Sequence, residues 1–341
     1  MSCNQILITG ANGYLGGIIT RRIISDTCFD VIAVASSEEK VLAMCERENV
    51  DKERVHFLSN DALLKPETDL KDVFGAVHLA FARRVRPAAE IASSLVFAAN
   101  VFHKFADSRI DRVINMSSQG VYGGTEEIRT EGTLPAPENH YTMAKYASEL
   151  LFKDILYNCT HYTNLRLDLV AQSQNIIKGL CKSAKEGQIN LKGGRQVFSF
   201  IDGEDAAAAV VAMLKMDGDW DCVYNVGWNR VRYTLIELAE IVAESAEKCG
   251  FKRPKITLEE ANLVLWAGMD STKFMKKTGW EPKIALKDTV RESIVSLVDT
   301  EKIVGGKINV LQDATGGGKP FKGSNYWSRR LFREAGCEVC A

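Results

Sequence analysis

The stretch that decides the fold is Ile6-Leu7-Ile8-Thr9-Gly10-Ala11-Asn12-Gly13-Tyr14-Leu15-Gly16. Apolar and β-branched residues run into a turn with a glycine at every third position, and isoleucines recur over residues 18–24 as on one side of a helix. A buried strand, a tight turn and a helix start together place backbone N–H groups and a positive helix end where a pyrophosphate can bind. The spacing is G-x-x-G-x-x-G rather than G-x-G-x-x-G, so plain turn chemistry remains an alternative.

The composition is typical of a globular protein with a substantial core. The chain has 341 residues, of which 46% are hydrophobic and 26% charged, and its formal net charge is -1. This balance gives no electrostatic reason to expect nucleic acid or an anionic membrane as a partner. No apolar run approaches the roughly 20 residues that cross a bilayer, and the first residues lack the pattern of a signal peptide. We therefore expect a cytoplasmic protein.

The cysteines indicate reduced thiols rather than a disulfide framework, because the nine residues are scattered and odd in number. Cys337 and Cys340 form a C-x-x-C pair at the terminus, but no second pair accompanies them. We expect no metal site there or elsewhere. The glycines at 316–318 do not form a P-loop, since Pro320 stands where a serine or threonine would hold magnesium.

Strand and helix patterns alternate through the first half of the chain. After the first strand, buried strands are predicted at 31–35, 55–58, 75–80, 112–116 and 163–167, with helices at 37–49, 87–106 and 141–157. Such alternation predicts right-handed βαβ units and a parallel sheet that is covered on both faces. The predicted fold class is α/β, a Rossmann-type doubly wound parallel sheet with a smaller, mixed C-terminal substrate domain.

The second half is less regular and suggests a divided chain. Residues 1–170 are predicted to form the dinucleotide-binding domain, and 195–228 to return to it. Residues 171–194 and 229–341 are predicted to form the substrate-binding part. Within that part, Thr234 followed by Glu237 predicts a capping box at a helix start.

Ligands of a parallel sheet bind beyond the carboxyl ends of its strands. The residues of chemical interest fall at these ends: Gly10 to Gly16, Ala35-Ser36, Asp61, Ala80 to Arg83, and Ser117-Ser118. This coincidence favours a dinucleotide site over plain turn chemistry.

Tyr141 and Lys145 are four residues apart at a predicted helix start, so they share one face of that helix. An ammonium beside a phenol favours the phenolate, which lets a tyrosine exchange protons near neutral pH. Ser118 follows a predicted strand, and its hydroxyl could hold a reacting oxygen. Each feature alone also has an ordinary structural explanation, as a surface helix pair or a turn serine.

Together these motifs resemble the extended short-chain dehydrogenases/reductases, and most closely the NAD-dependent epimerase/dehydratase family. The matching motifs are T-G-x-x-G-x-x-G at 9–16, H-L-A at 78–80, S-S-x-x-V-Y-G at 117–123 and Y-x-x-x-K at 141–145. The resemblance implies a catalytic triad of Ser118, Tyr141 and Lys145. It implies cofactor contacts from Gly10, Asn12, Gly13, Tyr14, Leu15, Gly16, Ser36, Ser37, Asp61, Ala62, Leu79, Ala80, Phe81, Arg83, Tyr141 and Lys145. It also implies a homodimer formed through helices 88–106 and 141–157.

The chain departs from the family at three places. Ala35, Ser36 and Ser37 stand where NAD-binding members carry an acid, so we expect NADP or NAD, with NADP slightly favoured. The Asp-Glu pair of 4,6-dehydratases is replaced by Gln119 and Gly120, so we do not expect 4,6-dehydratase activity. Sugar-nucleotide members hold the substrate diphosphate with polar or basic residues at three positions, which here are Leu169, Phe198 and Glu260.

The sequence thus predicts an NAD(P)-dependent oxidoreductase or epimerase of carbohydrate metabolism. It would act on a secondary hydroxyl or keto group of a sugar or sugar-nucleotide by hydride transfer, assisted by tyrosine, lysine and serine. One alternative is a dehydrogenase or reductase of a small non-nucleotide hydroxy or keto compound. An alternative of another class is a non-catalytic cofactor-binding scaffold or sensor.

Overall fold

The computed structural model describes residues 4–159 and 161–304 of the chain. These residues divide into two compact units. The first unit contains the described residues up to Val170, Ser199–Val231 and Ala267–Lys283, and the second contains Ala171–Phe198, Arg232–Trp266 and those from Ile284 onward. The assignment of cofactor to one part of the chain and substrate to the other stays a prediction.

The strands, in chain order, are β1 (Gln5–Thr9), β2 (Asp30–Ala35), β3 (Val55–Ser59), β4 (Val73–His78), β5 (Arg112–Ser118), β6 (His161–Leu167), β7 (Leu169–Val170), β8 (Gln188–Lys192), β9 (Val197–Phe198), β10 (Phe200–Ile201), β11 (Val223–Val226), β12 (Tyr233–Thr234) and β13 (Lys255–Glu259). The helices are α1 (Tyr14–Asp26), α2 (Glu38–Glu48), α3 (Asn60–Leu63), α4 (Ala88–Asp107), α5 (His140–Ile155), α6 (Asn175–Lys185), α7 (Gly203–Lys215), α8 (Leu235–Lys248), α9 (Thr272–Thr278) and α10 (Leu286–Val304). Among these described helices, none has the length and apolar character needed to cross a membrane.

The first unit is built on a parallel sheet of seven strands in the order β11-β6-β5-β4-β1-β2-β3. From β1 the chain adds strands toward β3 on one side and then, from β4, toward β11 on the other. The strand order therefore reverses between β1 and β4, which is where open α/β sheets bind their ligands. The predicted Rossmann-type fold class is confirmed.

Both faces of this sheet are covered, which explains the continuous apolar runs in its strands. Side chains alternate between the faces along β1. Ile6 and Ile8 belong to a core cluster with residues of α1 and α7. Leu7 points to the opposite face and belongs to a second cluster with Phe102 of α4 and Phe152 of α5. The α4/α5 face carries the predicted catalytic helix.

The second unit is a smaller mixed α/β assembly. Helices α6, α8 and α10 pack on one another. Strand β8 pairs with β13 in parallel, and β9 pairs with β12 in antiparallel fashion. The predicted capping box opens α8, since the Thr234 and Glu237 side chains each accept from the other residue's backbone N–H, at 3.2 Å and 2.7 Å.

The structure differs in several details from the elements predicted from the sequence. Ser118 is the last residue of β5 rather than a residue after the strand, and Asp61 lies on the short helix α3. The short strands Val197–Phe198 and Phe200–Ile201 are separated by Ser199 and belong to different units. Strand β13 was not predicted, although polar and apolar residues alternate along it. The predictions for Cys337, Cys340 and the glycines at 316–318 lie outside the described residues.

Candidate cofactor and catalytic site

The turn between β1 and α1 has the backbone geometry that its glycines predict. Gly10 has φ +71°, and a Cβ there would lie 3.0 Å from the backbone of Ala80. A Cβ at Gly16 would lie 2.3 Å from the Gly10 carbonyl oxygen, so only glycine allows this close packing. The N-cap of α1 is Gly13, which has no side chain to satisfy the first N–H groups. The turn that carries Asn12 and Leu15 therefore fits an anion such as a pyrophosphate.

The exit of β2 carries hydroxyl and ammonium groups. Lys40 Nζ donates to Ser36 Oγ at 2.8 Å. Ser37 is the N-cap of α2, and its hydroxyl makes no capping bond within the described part of the chain. Glu38 and Glu39 occupy the first turn of α2 and partly offset the positive charge of Lys40.

The other predicted cofactor residues lie on neighbouring strand ends. Asp61 is exposed on α3, and the Ala62 N–H donates to Ser59 Oγ at 3.1 Å. Beyond β4, the N–H groups of Leu79 and Ala80 donate to Thr9 Oγ1 at 3.2 Å and 3.3 Å. These bonds hold the loop that carries Phe81 and Arg83 beside the glycine turn.

Ser118 faces the start of α5 at the end of its strand. Its Oγ accepts from the Gly120 N–H at 3.1 Å, so the hydroxyl proton is free to point elsewhere. A Cβ at Gly120 would lie 2.7 Å from Thr142 Cγ2. The missing side chain therefore lets the turn after Ser118 approach the first turn of α5.

Phe81 links the other two predicted catalytic residues. Its ring lies edge-on to Tyr141 with 6.2 Å between centroids, and Lys145 Nζ lies 4.1 Å from the centre of the same ring. Lys145 Nζ also donates to the Met116 carbonyl oxygen at 2.7 Å. The structure thus brings Ser118, Tyr141 and Lys145 onto the adjoining ends of β5 and α5, while Ser36, Ser37 and Asp61 lie at the other strand ends.

The charge states of the two helix residues are strongly perturbed. Burial raises the pKa of Tyr141 to about 12, and the guanidinium groups of Arg84 and Arg83 oppose this rise. Burial lowers the pKa of Lys145 to about 7, and the charge of Glu149 opposes this fall. Tyr141 is therefore a proton donor in this state and requires further positive charge nearby to act as a base.

Glu149 is a residue of the site that the sequence reading missed. It lies one turn after Lys145 and is buried. It accepts from Arg166 Nη2 at 2.6 Å and Nε at 3.0 Å, and from Ser117 Oγ at 2.5 Å. The spacing Tyr141, Lys145, Glu149 is itself the signal that could have found it, because the three residues share one helix face.

Asp168 is the second residue that was missed. It follows β6 directly, where ligand-edge residues are expected, and it is buried. It accepts from Gln119 Nε2 at 2.6 Å, from Ser199 Oγ at 2.5 Å and from the Leu169 N–H at 2.9 Å. Burial raises its pKa to about 6, although these three donors favour the carboxylate.

The three departure positions have different surroundings. Leu169 is half-buried in β7, which pairs with β10. Phe198 is buried in β9 of the second unit, where it pairs with Tyr233. Glu260 is exposed just after β13.

Comparisons with known proteins agree with this architecture. The model of the "NAD dependent epimerase/dehydratase family" matches residues 6–227. A UDP-N-acetylglucosamine 4-epimerase from Bacillus cereus is 19% identical, with 90% of this chain and 98% of that chain covered and a TM-score of 0.69. A UDP-glucuronic acid 4-epimerase from Bacillus cereus, in complex with NAD, is 18% identical, with coverages of 86% and 99% and a TM-score of 0.70. DesIV, a dTDP-glucose 4,6-dehydratase from Streptomyces venezuelae with NAD bound, is 18% identical, with coverages of 87% and 98% and a TM-score of 0.71. At these identities the structural likenesses concern the fold alone.

Proposed function

The chain belongs to the NAD dependent epimerase/dehydratase family, and we propose on this basis that it is an NAD(P)-dependent oxidoreductase or epimerase of a sugar-like substrate. The reaction proposed is hydride transfer at a secondary hydroxyl or keto carbon. The observation that supports the proposal is that Ser118 ends β5 while Tyr141 and Lys145 lie on the first turns of α5 and share contacts with Phe81. The glycine turn after β1 has a geometry that fits a pyrophosphate.

A bound nicotinamide cofactor supplies the hydride donor or acceptor for this chemistry. Tyr141 exchanges the proton of the substrate hydroxyl, and Ser118 Oγ donates to the reacting oxygen. The arginines at 83 and 84 supply positive charge around the phenol. This charge is needed because burial holds the pKa of Tyr141 near 12.

For the substrate we propose a sugar or sugar-nucleotide. The structural neighbours described above are named for UDP- and dTDP-sugars, which supports this class. The alternative is a small hydroxy or keto compound without a nucleotide. It is favoured by Leu169, whose side chain offers no charge to a diphosphate. We do not propose 4,6-dehydration, because Gln119 carries an amide where that reaction needs an acid. The amide instead donates a hydrogen bond to Asp168.

For the cofactor we propose NADP. The Ser36 hydroxyl and the Lys40 ammonium already contact each other at the exit of β2, where the adenosine ribose is expected, and Ala35 leaves no carboxylate to repel a 2′-phosphate. NAD is the alternative, and its presence in neighbour structures supports it. Fluorescence titrations with NADPH and NADH decide between them.

For the assembly we propose a homodimer through α4 and α5. These two helices pack on each other, and their outer surface carries exposed Val96, Met143 and Leu150. Apolar side chains on the outside of a paired helix face favour burial against a second copy. Light scattering of the wild type and of Leu150→Arg tests this, since the charged variant should be monomeric.

Tyr141→Phe tests the central proposal. We expect turnover to fall by about 10²–10⁴-fold, with cofactor affinity nearly unchanged. Turnover is followed by absorbance at 340 nm and by proton NMR of epimeric products, over UDP-sugars, dTDP-sugars, free sugars and sugar acids. Tyr157→Phe, an exposed tyrosine just beyond α5, is the matched control.

Two results of this experiment would redirect the proposal. Unchanged turnover in Tyr141→Phe would contradict the mechanism. Cofactor binding with no turnover of any tested substrate would favour the scaffold or sensor alternative. Cofactor that remains with the purified protein and is released on denaturation favours an epimerase, because a dehydrogenase exchanges its cofactor in each cycle.

A further inference from the structure

A row of buried polar side chains crosses the sheet on its α4/α5 face. Thr9 of β1, His78 of β4, Asn115 of β5 and Asn164 of β6 are Cα partners from one strand to the next. All four are almost completely buried. Polar groups this deep in a core are tolerated when each has a hydrogen-bond partner.

The β1 end of the row determines the state of the histidine. Thr9 Oγ1 accepts from the N–H groups of Leu79 and Ala80, so its own proton is left to donate to His78 Nδ1 at 2.8 Å. Burial lowers the pKa of His78 to about 3, and the charge of Lys145 adds to this effect. The ring is therefore neutral at physiological pH, and its single proton is on Nε2.

The β6 end of the row is also hydrogen-bonded. Asn115 Nδ2 donates to Asn164 Oδ1 at 2.8 Å and to Ser148 Oγ at 3.2 Å. Asn164 Nδ2 donates to the Cys222 carbonyl oxygen at 3.2 Å. Both amide hydrogens of Asn115 are thus engaged, and only its Oδ1 remains.

The row is interrupted at one step. His78 Nε2 and Asn115 Oδ1 are both buried and have no hydrogen-bond partner among the described residues. One is a donor and the other an acceptor, and they stand on adjacent strands at the same register position. Leaving both of these buried atoms without a hydrogen-bond partner is energetically costly, so a shared partner is strongly favoured.

Lys145 reaches the same place from α5. Its Nζ donates to the carbonyl oxygen of Met116, the residue next to Asn115, and its charge acts on His78. An ammonium has three N–H donors, so two remain beyond the bond to Met116. The other ionisable group acting on Lys145 is Glu149 of α5, which is paired with Arg166 of β6.

We propose that a buried water molecule binds between His78 Nε2 and Asn115 Oδ1 and also accepts from Lys145 Nζ. The water accepts from the histidine and the lysine and donates to the asparagine, which gives it the two to four polar partners that internal waters have. His78 and Asn115 are then positioning residues for Lys145. This last consequence rests on the proposed function, whereas the water site itself does not.

The wild-type protein tests the water site directly and without any assay of activity. The chain has five histidines, so selective ¹⁵N-histidine labelling gives a short set of ring signals. We expect a His78 Nε2–H signal with a cross-peak to a long-lived water, and a high-resolution crystal structure with a water within hydrogen-bond distance of both atoms. A proton on Nδ1, or a direct His78–Asn115 bond without water, would overturn the proposal.

Asn115→Leu tests the effect on Lys145, because it removes the Oδ1 acceptor while keeping the branching of the side chain. It also removes the Nδ2 donor to Asn164 and Ser148. We expect loss of the water cross-peak and a downward shift of the Lys145 pKa by about one unit, read from its ¹³Cε signal and assigned with Lys145→Met. Ser148→Ala removes a different partner of Asn115 and should keep the cross-peak. An unchanged Lys145 pKa in a folded Asn115→Leu protein would overturn the positioning role, whatever the outcome of the activity assays.

Discussion

The glycine turn after β1 and the corner formed by β5 and α5, where we propose catalysis, are constructed in opposite ways. The turn depends on missing side chains, since Gly10 and Gly16 allow close backbone contacts that a Cβ would forbid. At the corner, Lys145, Glu149 and Arg166 bring charges into the core, where each depends on its partners. We therefore expect substitutions at the turn to act through steric clashes. Substitutions at the corner should act through unpaired buried charge and altered pKa values.

Glu149→Gln should have the largest effect, because it leaves the Arg166 guanidinium buried without its counter-ion. We expect a loss of about 3–5 kcal/mol in the free energy of unfolding, measured by urea denaturation. Glu240→Gln is the matched control, since it breaks an exposed pair with Arg253 and should cost less than about 1 kcal/mol. Equal effects at the two pairs would contradict the view that the corner depends on buried charge.

Gly16→Ala should break the turn while leaving the charged corner intact. Its Cβ would lie 2.3 Å from the Gly10 carbonyl oxygen, so we expect a loss of about 2–4 kcal/mol in stability and loss of cofactor binding. Unfolding curves and fluorescence titrations with NADPH measure the two effects. Gly132→Ala has ordinary space around its Cβ and should change neither quantity. Cofactor binding that survives in Gly16→Ala would mean that the turn tolerates a side chain.

Asp168→Asn should change how the free energy of unfolding depends on pH. Burial raises the folded-state pKa of Asp168 to about 6 from an ordinary value of 3.8. Below pH 3.8 the carboxyl is protonated in both states. As pH rises toward 6 the unfolded chain ionises first, so the group's contribution to stability falls by up to about 3 kcal/mol.

The asparagine variant lacks this titration, so its stability relative to wild type should increase steadily between about pH 4 and 6. Urea denaturation at half-unit intervals measures the difference, and any constant offset between the proteins is irrelevant to the slope. A difference that is flat across this range would show that Asp168 titrates normally.

Lys40→Ala should give the smallest effect, because the exit of β2 is exposed and its charges are solvated. We expect a loss of about 1 kcal/mol in NADPH binding, or roughly 5–10-fold in affinity, with NADH affinity and stability nearly unchanged. Lys52→Ala, on an exposed turn before β3, controls for net charge. Equal losses for both cofactors would contradict a 2′-phosphate contact.

Much of the fold could be predicted from local patterns. Apolar strands such as Ile6–Ile8 and the helical spacing after Gly16 are signals within a few residues, and their alternation restricts the topology to a parallel sheet. The two-stranded pairings of the second unit were not predictable in this way. Strands of two residues, such as Tyr233–Thr234, exist because a distant partner supplies the hydrogen bonds, and their own sequence carries no periodicity.

The candidate site, like the fold, is only partly predictable from local sequence patterns. The positions of Ser118, Tyr141 and Lys145 follow from motifs, and the spacing along α5 could have indicated Glu149. Asp168 joins the candidate site only through its partners on other elements. Arg166 shows the reason, because its guanidinium on β6 binds the carboxylate of Glu149, which lies on α5, 17 residues earlier in the chain.

The sequence alone determined the family, the alternation of strands and helices up to β6 and the glycine turn, because these depend on residue type and short-range spacing. Tertiary structure decided which buried polar atoms meet. Thr9, His78, Asn115 and Asn164 are separated by up to 69 residues between neighbouring strands, and only the register of the sheet aligns them. Hydrogen bonds act over a few ångströms, so the partners of these four side chains are set by neighbours in space that no local pattern identifies.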